Sequence, residues 1–284
     1  MTEAMPSTRH PRYVRVLSIA GSDSGGGAGI QADLKTFSAL GCFGMTAITA
    51  ITAQNTQGVR AIHGVPPEVL RAQIDAVVED IGVDAVKIGM LATPDIVRVV
   101  ADAIARHALP HVVLDPVMVA TSGDALIEHE TIAALVRELF PLAQVITPNL
   151  DEAALLLGRP IDTIDALEHA ADDLLALGAR AVLLKGGHLS GDWVVDLLAL
   201  PGGEHHRLES ARIVTNNGHG TGCTLSSAIV AHLALGEPLV QAVRSARAYI
   251  VGAIEAGAAV VTGHGHGPLN HGYAPIAQRV LDAP

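Results

Sequence analysis

The chain has 284 residues, of which 49% are hydrophobic and only 2% aromatic, and its formal net charge is −11 at pH 7. This length fits one large α/β domain with an aliphatic core. The negative charge argues against a nucleic-acid or anionic-membrane partner, which needs clustered lysine and arginine. The two cysteines, Cys42 and Cys223, have no paired spacing, so we expect a reducing compartment and neither a disulfide framework nor a thiolate zinc site.

The N-terminal segment, residues 1–13, is polar and basic without an apolar core, which predicts a disordered tail rather than a targeting segment. No run of the sequence reaches the roughly 18 apolar residues of a membrane span. We therefore expect a cytoplasmic protein whose single domain covers residues 14–284.

Short apolar runs alternate with longer segments of helical period, which predicts a mainly parallel sheet covered by helices. Thr93-Pro94 predicts the start of a helix, and a capping box at 165–168 predicts the start of another, which Gly178 ends. The polar turn within 191–213 predicts an antiparallel excursion at one sheet edge. The predicted strands are residues 14–20, 45–53, 85–88, 111–114, 144–147 and 181–184.

Each predicted strand is followed by residues that can bind a ligand or perform chemistry. Open α/β sheets bind their ligands at the carboxyl ends of the strands, so these residues are expected to lie at one edge. In chain order they are Gly21-Ser22-Asp23, Gln54-Asn55, Gly89-Met90, Asp115, Asn149 with Glu152, and Lys185-Gly186-Gly187-His188.

The first glycine-rich loop, residues 21–29, does not match a dinucleotide fingerprint, because Ile30 occupies the position of the third glycine. No glycine run in the chain ends in the Lys-Ser or Lys-Thr of a Walker-type phosphate loop. The glycines are interpreted as letting the backbone approach a small ligand. Asp33, one turn into the next helix, either points back at that ligand or is a solvated carboxylate favoured by the helix dipole.

The segment 217–224 places three glycines directly before an apolar helical pattern, a junction that is typical of anion binding. Cys223 lies within it, and we expect the helix terminus to lower the pKa of its thiol, so that it acts as a base or nucleophile. The alternative is a glycine-rich turn that caps a helix and carries a buried cysteine.

Eight blocks of the chain resemble the hydroxymethylpyrimidine/phosphomethylpyrimidine kinases, a family of the ribokinase-like superfamily, from about residue 15 to residue 275. The blocks are 20–23 (AGSD), 27–36 (GAGIQADLKT), 53–56 (AQNT), 87–91 (KIGML), 114–118 (LDPVM), 146–150 (ITPNL), 185–188 (KGGH) and 219–224 (HGTGCT).

This resemblance implies a three-layer α/β/α fold, ATP and Mg²⁺ as cofactors, a homodimer, and a pathway role in thiamine biosynthesis. It also implies two successive reactions, in which 4-amino-5-hydroxymethyl-2-methylpyrimidine becomes first its monophosphate and then its diphosphate. The alternatives are a pyridoxal or pyridoxine kinase of the same superfamily, or a regulatory module that binds a pyrimidine or nucleotide without catalysis.

The resemblance further implies roles for individual residues. The base is expected to be Cys223, and Lys185 is expected to contact the phosphates. Gly218 departs from the pattern, since several relatives have threonine there. The substrate-binding residues are Gly21, Ala28, Asp33, Gln54, Met90 and Val117; the nucleotide-binding residues are Asn149, Lys185, Thr215 and His219; the transition-state amides are those of Gly220, Thr221, Gly222 and Cys223; and Glu152 and Asp115 hold Mg²⁺, largely through water.

Overall fold

A computed structural model describes residues 10–118 and 129–282 of the chain. The strands are β1 (Arg12–Tyr13), β2 (Arg15–Asp23), β3 (Phe43–Asn55), β4 (Gly58–Gly64), β5 (Ala85–Ile88), β6 (Val112–Leu114), β7 (Val145–Ile146), β8 (Val182–Leu184), β9 (Trp193–Leu200), β10 (Glu204–Ala211) and β11 (Val280–Leu281). The helices are α1 (Gly29–Ala39), α2 (Pro67–Asp80), α3 (Pro94–His107), α4 (His129–Ala134), α5 (Leu150–Leu157), α6 (Leu167–Ala176), α7 (Thr221–Ala234) and α8 (Leu239–Gly257).

Nine of these strands form one sheet in the order β10-β9-β8-β7-β6-β5-β2-β3-β4. Neighbours from β3 through β8 are parallel, whereas β4 pairs antiparallel at one edge and β9 and β10 at the other. The mainly parallel sheet and the antiparallel excursion within 191–213 are therefore confirmed. The sequence analysis missed β4, because its side chains are mostly exposed and carry no apolar alternation.

Helices cover both faces of the sheet, and a hydrophobic core lies on each face. Phe37 of α1 packs in one core with residues of α7 and α8, and Leu70 and Ile74 of α2 pack in the other with residues of α3 to α6. Each of these three side chains is fully buried. Burying a side chain of this size contributes about 1.5–3 kcal/mol to the free energy of folding. The expected three-layer α/β/α architecture is confirmed.

The helix boundaries test the capping predictions. Thr93 caps α3, with its hydroxyl accepting from the Ile96 amide, and Gly178 has a φ of 105° just after α6. The predicted capping box at 165–168 is wrong, because a 3₁₀ turn at Ile164–Ala166 precedes α6 and no side chain caps that helix. A full capping box instead begins α5, formed by Asn149 and Glu152.

The two ends of the described chain pair with each other, since β1 and β11 form a small antiparallel sheet. The predicted tail covers residues 1–13; of these, 1–9 lie outside the described residues, and Arg12–Tyr13 are the strand β1. In the part of the chain that the structure describes, no helix has the length and apolarity needed to span a membrane.

Candidate active site

Two cavities, each of about 360 Å³, open at the carboxyl ends of the parallel strands. The cavity bordered by β9, β10 and α8 is called the hairpin cavity here, and the one bordered by the glycine-rich loop 21–29 is called the loop cavity. The two share one wall. The residues that line both cavities are Asn149, Lys185, His188, Gly218, Thr221 and Gly222.

The shared wall contains the first turn of α7, which the sequence analysis expected to bind an anion. Gly220 precedes the helix with a φ of 83°, and a Cβ on it would lie 1.9 Å from the carbonyl oxygen of Gly27. Only glycine fits this close crossing of two loops. The crossing brings the amides that open α7 directly against the glycine-rich loop, and the positive end of the helix faces the boundary between the cavities.

The glycine-rich loop is organised by Asp23, which the sequence analysis noted only as a residue at a strand end. Its carboxylate accepts hydrogen bonds from the amides of Gly25, Gly27 and Ala28, at 2.7 to 3.0 Å. It also lies 2.9 Å from Nε2 of His219. Burial would raise the pKa of Asp23, but His219 and the amides outweigh it and lower the pKa.

His219 itself is placed differently from the expectation. The resemblance puts it with the nucleotide, whereas the structure directs its ring toward Asp23 in the loop cavity. The neighbouring Asn217 instead lines the hairpin cavity, where its side-chain amide donates to the carbonyls of Gly257 and Val260. His219 therefore connects the glycine-rich loop to the start of α7.

Lys185 and Asp115 form an ion pair at the shared wall, with Nζ 2.8 Å from the carboxylate. Burial would raise the pKa of Asp115, but the charges of Lys185 and Lys87 outweigh it and lower the pKa. Burial likewise would lower the pKa of Lys185, but Asp115 and Glu152 together raise it. Both groups are therefore charged at neutral pH.

Glu152 differs from these two, because burial raises its pKa to about 7. It lines the loop cavity near Asp115 and also completes the capping box of α5 through a hydrogen bond from the Asn149 amide, at 2.8 Å. Asp115 and Glu152 do not form a closed set of metal ligands. Two carboxylates that line one cavity are a donor set that fits Mg²⁺, which keeps several of its waters.

Asp33 is not placed where the resemblance expects it, because it does not line the loop cavity and is fully buried. Its carboxylate accepts from the hydroxyls of Ser18 and Ser227 and pairs with the ammonium of Lys87 at 3.0 Å. Both carboxylate oxygens therefore have protein partners, and the side chain is not available to a ligand in the loop cavity. Lys87, which lines the loop cavity, was missed because it lies within an apolar strand.

The expected lowering of the Cys223 pKa is wrong. Burial raises the pKa of this thiol to about 11, although the charge of Lys87 opposes the shift. The helix terminus is present, as expected, but the surrounding protein atoms outweigh its effect on the thiol, although part of the residue's surface stays exposed to the cavity. Cys223 still lines the loop cavity beside the shared wall.

The remaining site residues lie around one or the other cavity. The hairpin cavity also contains a pair that sequence reasoning missed, Arg247 and Asp196, whose charged atoms are 2.6 Å apart. The segment 263–268 packs against the turn before α7, with the Gly267 carbonyl accepting from the His219 amide, and lines neither cavity. Gly21, Ala28, Gln54, Met90, Val117 and Gly220 line the loop cavity, and Thr215 lines the hairpin cavity.

Comparison with known proteins matches the family described as phosphomethylpyrimidine kinase to residues 23–270 of the chain. The hydroxymethylpyrimidine/phosphomethylpyrimidine kinase of Rhizobium meliloti (strain 1021) is 55% identical over 256 residues, which cover 90% of this chain and 96% of that protein.

Two solved structures are similar to the whole fold. The phosphomethylpyrimidine kinase from Clostridium difficile 630 has a TM-score of 0.75 at 44% identity, covering 84% of this chain and 99% of that one. An ADP complex of Bacillus subtilis pyridoxal kinase has a TM-score of 0.84 at 40% identity, covering 93% of this chain and 98% of that one. The ribokinase-like fold is thus confirmed, and the chain belongs to the phosphomethylpyrimidine kinase family.

Proposed function

We propose that the protein transfers the γ-phosphoryl group of ATP to the hydroxyl of 4-amino-5-hydroxymethyl-2-methylpyrimidine, and then phosphorylates the monophosphate to the diphosphate, in thiamine biosynthesis. The observation that carries this proposal is the pair of cavities that meet at Lys185 and the first turn of α7. A kinase needs its donor and acceptor on opposite sides of the group that moves.

The hairpin cavity is the proposed nucleotide site. Its apolar wall includes Ile250 and Val251 of α8, and Thr215 and Asn149 lie at its border. A nucleotide bound there extends its phosphates toward Lys185, because this lysine lines both cavities. The ADP in the similar pyridoxal kinase structure supports a nucleotide on this fold.

The loop cavity is the proposed pyrimidine site. The side-chain amide of Gln54 can pair with the donors and acceptors on one edge of an aminopyrimidine. Met90 and Val117 supply apolar contacts for the ring faces. Because Asp33 is withdrawn from this cavity, the proposed recognition involves no carboxylate from α1.

Transfer of the phosphoryl group depends on alignment and on compensation of oxygen charge more than on covalent chemistry. Lys185 offers a point charge, and the amides of Gly222 and Cys223 offer hydrogen bonds at the helix terminus, whereas the Thr221 amide donates to the Gly218 carbonyl. Asp115 and Glu152 are the residues proposed to hold Mg²⁺ through water, and the ion would supply further positive charge to the phosphates.

The two reactions place different demands on Cys223. The first acceptor is an alcohol, which must lose a proton as it attacks. The second acceptor is a phosphate monoester whose second pKa is about 6, so much of it is already dianionic. The raised pKa of Cys223 means that the thiolate must be favoured by neighbouring charge. We expect Cys223→Ala to slow the first reaction more than the second, and equal losses of kcat would contradict this role.

Parallel turnover assays test the proposed substrate. The purified protein is incubated with ATP and hydroxymethylpyrimidine, its monophosphate, or pyridoxal, and the products are separated by anion exchange. A diphosphate from the first two substrates is expected. Turnover of pyridoxal alone would favour the vitamin B6 alternative, and ATP binding without turnover of any substrate would favour the regulatory alternative. The higher TM-score to pyridoxal kinase accompanies greater coverage and does not itself favour that substrate.

The cytoplasmic location and the homodimer are carried over from the resemblance as parts of the same proposal. Ile51 and Ile62, on the antiparallel pair β3–β4, have 53% and 46% of their surface exposed. Ile51 lies opposite His63 and Ile62 opposite Thr52, so the two side chains project from opposite faces of the sheet edge, and the apolar surface that each one exposes supports association. Analytical ultracentrifugation is expected to give twice the mass of the chain, and a monomer at micromolar concentration would contradict the dimer.

A further inference from the structure

A buried ion pair lies next to the site and has no role in the reaction described above. The Lys87 ammonium is 3.0 Å from the Asp33 carboxylate, and neither side chain is exposed to solvent. Withdrawing two charges from water is costly, and apolar side chains of similar volume are often at least as stabilising. Stability alone therefore does not explain why charges occupy this position.

The pair is held in a fixed position relative to the helix that carries Cys223. Asp33 accepts from Ser18 of β2 at 2.5 Å and from Ser227 of α7 at 2.7 Å, in addition to Lys87 of β5. Ser227 follows Cys223 by four residues, which is about one helical turn. The ammonium is thus tied, through Asp33 and Ser227, to the helix that carries Cys223.

The end of β5 also leaves room for the ammonium. A Cβ on Gly89 would lie 2.8 Å from Nζ of Lys87, so a larger residue there would push the lysine away. Lys87 lines the loop cavity, in which Cys223 also lies. An ammonium has three donors, and Asp33 takes one of them.

Charged groups from four parts of the chain act on Cys223. Lys87 comes from β5 and Asp33 from α1, whereas Asp115 follows β6 and Lys185 follows β8. Burial raises the pKa of the thiol, the two carboxylates add to that effect, and Lys87 is the largest influence in the opposite direction. Opposite charges a few ångströms apart favour the charged form of each other.

We propose that Lys87 is a positioning residue for the phosphoryl transfer, whose ammonium, fixed by Asp33, stabilises the Cys223 thiolate that receives the acceptor's proton. This inference rests on the proposed function. In the step, the acceptor oxygen bonds to the γ-phosphorus, the bond from that phosphorus to the ADP oxygen breaks, and the hydroxyl proton moves to sulfur. Lys87 keeps its proton, and the sulfur releases its own to solvent before the next turnover.

The test follows the rate at which iodoacetamide alkylates Cys223 in the free enzyme between pH 7 and pH 10.5, with mass spectrometry of the peptide. In Lys87→Met we expect the alkylation profile to move up by about one pH unit, so that the rate at pH 8 falls about tenfold. The double variant Lys87→Met/Asp33→Asn leaves neither charge of the pair buried alone, and we expect its alkylation rate at pH 8 to fall by less than that of Lys87→Met.

Ser227→Ala is the matched control, because it removes a hydrogen bond to Asp33 while both charges stay in place. Its alkylation rate is expected to remain within about twofold of the wild type, because Ser18 and Lys87 still hold the Asp33 carboxylate and the charge of the ammonium is unchanged. An unchanged rate in both Lys87 variants, or an equal fall in Ser227→Ala, would overturn the proposal. Thermal unfolding of each variant confirms that a folded protein is compared.

The alkylation needs neither nucleotide nor pyrimidine, so it separates this inference from the proposed function. A shifted profile in an enzyme that does not phosphorylate the pyrimidine would refute the function and leave the charge effect. Pyrimidine turnover with an unshifted profile would refute the role of Lys87 alone. If the proposed function and the role of Lys87 both hold, Lys87→Met is expected to lower kcat of the first phosphorylation about tenfold while the KM for ATP stays the same.

Discussion

Replacing Gly220 by alanine tests the close crossing on which the shared wall depends. The added Cβ would lie 1.9 Å from the Gly27 carbonyl oxygen, whereas ordinary contact begins at 3.4 Å, so the two loops must separate by about 1.5 Å. A misplacement of about 1 Å can cost roughly 10²-fold in rate. The positive φ adds a strain of about 1–2 kcal/mol. We expect kcat/KM for hydroxymethylpyrimidine to fall about 100-fold or more. Urea unfolding should show that the free energy of unfolding falls by about 1–2 kcal/mol.

A control two residues away separates this geometry from a general sensitivity of the loop. Among the residues that the structure describes, a Cβ on Gly218 would meet no atom within 4 Å, and the φ of Gly218 lies outside the left-handed region. Gly218→Ala is expected to keep its free energy of unfolding within about 0.5 kcal/mol of the wild type. The reasoning fails if Gly220→Ala retains kcat/KM within threefold, or if the two variants lose stability equally.

Three further substitutions examine individual side chains. Lys185→Ala leaves Asp115 buried without its nearest cation, so urea unfolding should show a loss of about 3–5 kcal/mol and turnover should fall at least 100-fold. Gln54→Ala is expected to raise the KM for the pyrimidine about fivefold to tenfold and leave the KM for ATP unchanged, since one hydrogen-bonding group is lost from the loop cavity. The pKa of Glu152 is about 7 in the folded protein, against an ordinary value of 4.5, so between these pH values the metal-free native state binds a proton that the unfolded state does not. The free energy of unfolding of the wild type, relative to that of Glu152→Gln, should therefore rise as the pH falls from about 7 to about 4.5. Unfolding at pH 5 and pH 8 measures this, and equal differences at both would contradict it.

The central strands could be predicted because they are buried on both faces and therefore appear as short apolar runs. Residues 85–88 match β5 in full, and the ends of the other runs differ from the observed strands by a few residues. The edge strand β4 escaped prediction, since an exposed strand needs no apolar pattern. The helix start at Thr93 was predictable from a local cap, whereas the box at 165–168 was not formed because the chain takes a 3₁₀ turn there instead.

The sequence analysis placed most candidate site residues near one edge of the sheet, but the structure corrects the pKa of Cys223 and the position of Asp33. Strand ends and motif blocks identified Gln54, Lys185 and the turn before α7, because these depend on local sequence. The withdrawal of Asp33 depends on Lys87, Ser18 and Ser227, which are far apart along the chain and meet only in the fold. One signal was available: a lysine inside the four-residue apolar strand β5 requires a buried counter-charge, and that requirement points to a nearby carboxylate.

The balance of charge in and beside the shared wall predicts that phosphoryl transfer needs a divalent cation. Lys87 is offset by Asp33 and Lys185 by Asp115, and the α7 terminus adds only about half a positive charge. The protein groups beside a bound triphosphate are therefore nearly neutral in sum and leave most of its negative charge uncompensated. We expect chelation of divalent cations to abolish turnover without unfolding the protein. Because Glu152 has a pKa of about 7, protons compete with the cation, so the Mg²⁺ concentration that gives half-maximal activity should be several-fold higher at pH 6 than at pH 8. Glu152→Gln should lose most of this pH dependence, and a variant that retains it in full would show that the cation is held elsewhere.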